Sequence, residues 1–156
     1  MSKEKYILVI ADGSKEMEVA LQYACSRSKK TNRKIIIATF VEPLDVLTTQ
    51  GVTEIMQNEA REEAEKKIQI AASIVKESTG IVPVLQIREG EIMKELKALI
   101  DEEKDINVLV IAANVEEKDN PGPIIEALVS KELSNFRVPI MIVPGNFSKD
   151  HIALLT

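Results

Sequence analysis

Two patterns of apolar residues alternate along this chain. Five short runs are almost continuously apolar: YILVIA at 6–11, KIIIATFV at 34–41, VPVLQI at 82–87, NVLVIAA at 107–113 and VPIMIV at 138–143. The first, second and fourth do not alternate with polar residues, which is the pattern of strands covered on both faces in a parallel sheet. Between the runs, apolar positions recur every three or four residues, the stripe of a helix with one buried face. Over 15–30 these positions are Met17, Ala20, Leu21 and Ala24. Over 53–78 they are Ile55, Met56, Ala60, Ala64, Ile68, Ala71, Ala72 and Val75. A third helix carries Ile92, Met93, Leu96, Leu99 and Ile100; a fourth carries Ile124, Ile125, Leu128, Leu133 and Phe136. Strands alternating with helices predict βαβ units joined right-handedly into one open parallel five-stranded sheet with helices on both faces, an α/β fold.

Local signals set the element ends. Ser14 can cap the first helix, with Glu16 and Glu18 placed favourably in its first turn. Gly80 suits the C-terminal end of the second helix. Glu59, Glu62, Glu63, Glu65, Lys66 and Lys67 form the solvated outer face of that helix. With 156 residues and no interdomain linker, the chain reads as one domain over 1–145 followed by a polar tail over 146–156.

Composition removes several classes of function. The 20 Lys and Arg against 25 Asp and Glu give a formal net charge of −5, which disfavours a nucleic-acid partner. The basic run Arg27, Lys29, Lys30, Arg33, Lys34 sits where a helix ends, and cations there complement the helix dipole. Cys25 is the one cysteine, so no intrachain disulfide forms; it flanks an apolar helix face with no neighbouring histidine and reads as a structural thiol. His151, the one histidine, lies in the tail, too isolated for a metal site or a catalytic triad. Residues 1–5 do not open a signal peptide and no apolar stretch approaches membrane-spanning length. The expected protein is cytoplasmic, binds neither membrane nor nucleic acid, and requires no cofactor.

In an open parallel sheet ligands bind beyond the carboxyl ends of the strands. The first run ends in Ala11-Asp12-Gly13-Ser14, a tight-turn sequence. No dinucleotide fingerprint, phosphate-binding P-loop or nucleophile elbow occurs. A response-regulator acceptor site is also missing, since only Asp12 is present and the third run ends Gln86-Ile87-Arg88. The stretch 108–128 has the layout of a phosphate site, strand then loop then helix N-terminus, but holds one glycine and the adjacent Glu116 and Glu117.

In this order, ILVIADGSKEMEVALQYA at the front, Val41-Glu42-Pro43 after the second run, Arg88-Glu89-Gly90-Glu91 after the third and Pro139-Ile140-Met141-Ile142-Val143 at the end, the chain resembles the universal stress protein family over roughly 5–145. The resemblance implies an adenine-nucleotide α-hydrolase-like fold with strand order 3-2-1-4-5. The ATP-binding branch of that family carries G-x-x-G-x9-G-[ST] after its fourth strand. Counted back from Pro139 and forward from the fourth strand, these positions fall without a gap on Ala113, Glu116, Glu126 and Ala127. All three glycines and the hydroxyl are replaced. Two like charges about 4 Å apart cost about 1 kcal/mol in water and about 4 kcal/mol at an effective dielectric of 20, so glutamates are poor neighbours for a triphosphate.

The resemblance further matches Asp12 and Val41 to the base and ribose half of the pocket, with Ala11 and Ala112 as lining. Two readings of Asp12 stay open, a contact to a nucleoside or other small ligand and a residue of the turn alone. Three functions follow: a stress protein without ATP that acts through dimerisation and protein contacts, a sensor of an adenine nucleotide or nucleoside in a changed pose, and an enzyme of the wider superfamily. The third is disfavoured because an H-x-G-H-type motif is absent, so no catalytic residue is expected. The loop 114–122 is expected to be the most mobile part of the domain. Strand 138–143 falls at the sheet edge in the implied order, aliphatic on both faces, and predicts a homodimer through that strand. Its rival is a monomer whose tail lays Ile152, Leu154 and Leu155 over the edge.

Overall fold

A computed structural model of the chain describes residues 4–43 and 50–156; residues 1–3 and 44–49 lie outside the described residues. The strands are β1 (Tyr6–Ile10), β2 (Lys34–Val41), β3 (Val84–Glu89), β4 (Ile106–Ala113) and β5 (Ile140–Pro144). They form one parallel sheet in the order β3-β2-β1-β4-β5. Strands β3 and β5 start two residues later than their apolar runs. Pro83 and Pro139 lie just before them, and a residue without an N–H cannot donate to a ladder.

Each strand of the sheet's centre is buried on both faces, and its residues divide by parity between two cores. Ile7, Val9, Ile35, Ile37, Val110 and Ala112 point to the side covered by helices α1 (Met17–Thr31) and α2 (Gln50–Thr79). Leu8, Ile10, Ile36, Ala38, Leu109 and Ile111 point to the side covered by α3 (Ile92–Glu102) and α4 (Pro123–Ala127). The central strands therefore read as unbroken apolar runs because neither face meets water. Cys25 is buried in the first core, and burial pushes its thiol pKa up, as a structural thiol requires.

Four local expectations are corrected. Helix α1 begins at Met17 with Glu16 at its cap position and no side-chain cap; Ser14 is instead bonded to Asp12. Ile55 and Met56 are exposed although they share the helical stripe with buried Ala64, Ile68, Ala71 and Val75. The reason is length: the 30 residues of α2 span about 45 Å. The eight residues of β2 span only about 26 Å, so the first turns of α2 run past the sheet. The fourth helix is not continuous, because α4 passes into a π turn at Leu128–Glu132 and a 3-10 turn at Leu133–Asn135. That change of pitch rotates Leu133 out of the core and into solvent. The tail is a helix, α5 (Lys149–Leu155), capped by the Ser148 hydroxyl, which accepts from the His151 amide. It packs on α1 through buried Ile152 and leaves Leu154 and Leu155 exposed, so it does not cover β5. Gly80, by contrast, ends α2 in the left-handed conformation expected of it (φ 76°) and donates to Lys76 O.

The tail leaves the sheet through Gly145, whose N–H donates to Ala113 O at 2.8 Å. A Cβ at Gly145 would strike that same carbonyl oxygen and lie 2.7 Å from the Glu16 Cβ. Gly145→Ala therefore lowers stability by about 1–3 kcal/mol through overpacking, read as a fall in the urea midpoint at unchanged slope. An unchanged midpoint would show that the tail yields freely.

Candidate functional site

Parallel strands end together at one pole of the sheet, and the turns that follow β1 and β4 meet there. Beyond them lies a cleft of about 300 Å³ lined by Asp12, Ser14, Glu16, Ile92, Ile111, Ala112 and the segment Pro121 to Ile125. Its floor is aliphatic and its one rim is acidic. Gly13, with φ 74°, makes the turn that carries Asp12 to this rim. The carboxylate of Asp12 accepts from the Ser14 amide at 2.9 Å and from the Ser14 hydroxyl at 2.6 Å, both through Oδ1. Asp12 thus serves the turn with one oxygen.

Of the four residues expected to form a base pocket, Asp12 and Ala112 reach the cleft. Ala11 is fully buried and donates its N–H to Ala38 O at 2.8 Å, while Val41 is buried with its carbonyl accepting from Gly90 at 2.9 Å. Ala11 and Val41 do not line the cleft.

The four phosphate-loop positions are not brought together as a cradle. Ala113 ends β4 and its carbonyl is occupied by Gly145. Glu116 is exposed and pairs with Lys15 at 2.6 Å, an ion pair that holds the Lys15 amine above its usual pKa. Glu126 and Ala127 lie inside α4, and the Glu126 amide already donates to Gly122 O at 3.0 Å. A gapless count back from Pro139 therefore lands within the helix, whereas the helix opens at Gly122-Pro123.

Anion binding at a helix N-terminus needs free N–H groups. Here Pro121 and Pro123 flank Gly122 and have none, so the mouth of the helix is short of donors. The sequence displays this proline pair openly, but only the position of α4 shows what it removes. Lys15 had no legible signal, since its partner lies 101 residues away. Ile92 lines the cleft from α3, where its place in the helical stripe had marked it as core.

No candidate metal cluster occurs among the described residues, and no helix among them is long and apolar enough to cross a membrane.

The universal stress protein family matches residues 4–144 of the chain. Three solved structures share its fold. Universal stress protein UspA from Lactobacillus plantarum is 13% identical with a TM-score of 0.74, covering 92% of this chain and 99% of its own. A universal stress protein in complex with cAMP is 21% identical with a TM-score of 0.63, covering 93% and 100%. The universal stress protein from Archaeoglobus fulgidus in complex with dAMP is 15% identical with a TM-score of 0.61, covering 92% and 99%. No curated protein sequence matches the chain significantly.

The β4–α4 loop from Asn114 to Gly122 is exposed along most of its length, and few backbone bonds tie it down. Its amides are expected to exchange among the fastest outside the termini. The two exceptions are Asn114, which donates to Pro121 O, and Glu116, which donates to Asn114 Oδ1. Hydrogen exchange by NMR checks this; protection equal to that of the helices would mean that a further contact orders the loop.

Proposed function

From the premise that the chain belongs to the universal stress protein family, we propose that it is a stress-response protein whose phosphate site is degenerate, and that it acts through homodimerisation and contacts with other proteins without holding ATP. The observation that carries this reading is the mouth of α4. Two prolines remove amides at the place where phosphate oxygens would need them, and the Glu126 amide is consumed within the helix. The acidic rim adds repulsion, since Asp12 and Glu16 line the cleft and Glu116 and Glu117 stand in the adjoining loop. No catalytic step is assigned. The one histidine rests edge-on against Phe147 in the tail, with ring centroids 4.6 Å apart, away from the cleft.

A second reading has its own support. The cleft keeps an aliphatic floor and the second oxygen of Asp12, which suit a nucleoside or other small ligand without a phosphate chain. Structural relatives hold cAMP and dAMP, so an adenine derivative in an altered pose is the form this reading takes.

Calorimetry separates the two. Mg-ATP at low salt is expected to give no saturable heat in the micromolar range; a one-site isotherm there overturns the proposed loss of the phosphate site. Adenosine binding that Asp12→Ala abolishes would instead establish the second reading.

The dimer is argued from the free edge of the sheet. Strand β5 pairs with β4 and, among the described residues, has no second neighbour. Met141 and Ile142 are 42% and 39% exposed along it, and α5 lies on α1 instead of over this edge. A second copy pairing antiparallel about a twofold axis would bury both and close the assembly at two chains. Sedimentation equilibrium should give a dimer for the intact chain and a monomer for Ile142→Lys. A monomeric parent protein, or a dimer indifferent to that lysine, would remove β5 as the interface.

A further inference from the structure

A second open space lies at the other pole of the sheet, away from the cleft and outside the function proposed above. This pocket, of about 530 Å³, is lined by the starts of β1, β2 and β4 and by the C-terminal ends of α1 and α2. Its walls carry Lys5, Lys29, Arg33 and Lys34 against the single carboxylate of Glu4. Lys34 is neutralised by Glu4 at 2.6 Å, and Glu4 also accepts from the Tyr6 hydroxyl at 3.0 Å. Lys5, Lys29 and Arg33 have no carboxylate partner among the described residues. Three unpaired cations around one cavity are unusual for a chain of net charge −5.

Complementing helix dipoles accounts for only part of this. Lys29 sits in the last turn of α1, but Lys5 precedes β1 and Arg33 follows the helix. Arg33 is placed by the backbone: Asn32 turns the chain through the left-handed region with φ 57°, and the Ser28 hydroxyl donates to Arg33 O. At the two helix ends the Thr31 hydroxyl donates to Arg27 O, the Thr79 hydroxyl to Val75 O and the Gly80 amide to Lys76 O.

The remaining wall is uncharged and, apart from Ile81, polar. Asn107, at the start of β4, lines it, and its Oδ1 is buried without a hydrogen-bond partner. A buried acceptor left unpaired by protein is a group that a bound water, ion or ligand can satisfy. Asn32, Thr31 and Thr79 add acceptor and donor groups beside it. The space is far larger than an inorganic anion needs.

We propose that this pocket binds a small hydroxylated phosphate ester, with Lys5, Lys29 and Arg33 on the phosphate and Asn107 on a hydroxyl. The test titrates ribose 5-phosphate, ribose and inorganic phosphate into the full chain, followed by amide shifts and calorimetry. Saturable binding of ribose 5-phosphate is expected, with shifts at 28–34, 79–81 and 107 and none at 12–14 or 121–125. The double variant Lys29→Ala/Arg33→Ala should bind about tenfold or more weakly, the loss of one or more charge-assisted contacts. A charge-matched control, Lys66→Ala/Lys118→Ala, should bind as the parent does. Asn107→Ala should weaken ribose 5-phosphate and leave inorganic phosphate unchanged. Absence of saturation, equal weakening in both double variants, or inorganic phosphate binding as tightly as the ester would each overturn the proposal. Because the two poles give separate shifts, failure here is distinguishable from failure of the reading at the cleft.

Discussion

Burial of the central strands on both faces is the constraint from which the rest of this structure follows. Strands β1, β2 and β4 present apolar side chains alternately to two cores, so each face must be covered by helices. Parallel strands then require crossovers, and the crossovers send every strand the same way. All the strand-to-helix turns gather at one pole and all the helix-to-strand turns at the other. The two cavities considered above are the consequences: an acidic, aliphatic cleft at the carboxyl pole and a basic, polar pocket at the amino pole.

On the function proposed here, the family's architecture at the carboxyl pole has outlasted its phosphate chemistry. A parallel sheet offers the position of a ligand whether or not the residues there can hold one. What decides occupancy is the supply of N–H groups and the sign of the local charge. Here prolines take amides away at the helix mouth, and Glu116 is drawn to Lys15 across the loop. The turn at Asp12 survives because it has a second use: the Ser14 bonds to its carboxylate hold the chain between β1 and α1.

Regular elements were legible because their periodicity is local, and the departures lie where a distant element intervenes. The stripe of α2 was visible from Ile55 to Val75, but its first part is exposed because the sheet beneath it is shorter. Leu133 fitted a helical stripe that the π turn at Leu128–Glu132 interrupts. Glu126 and Ala127, which the motif count reaches, lie inside α4 and not at its mouth. Arg137 shows how such distant contacts operate: its guanidinium donates to the carbonyls of Ile100, Glu103 and Ile106, tying the segment before β5 to the end of α3 and the start of β4.

The sequence alone determined the alternation of strands and helices, the buried face of most helices, the structural character of Cys25 and, through motif order, the family. Each rests on side chains whose burial is set by spacing along the chain or on a turn made by neighbouring residues. Tertiary structure alone decided which carbonyls and amides remained free at the cleft, which charges found partners, and where the tail came to rest. Those outcomes depend on pairs such as Lys15 with Glu116 and Gly145 with Ala113, far apart in sequence and brought within bonding distance only by the assembled sheet. No periodicity encodes such a pair, because its energy arises when two faces of the finished fold meet.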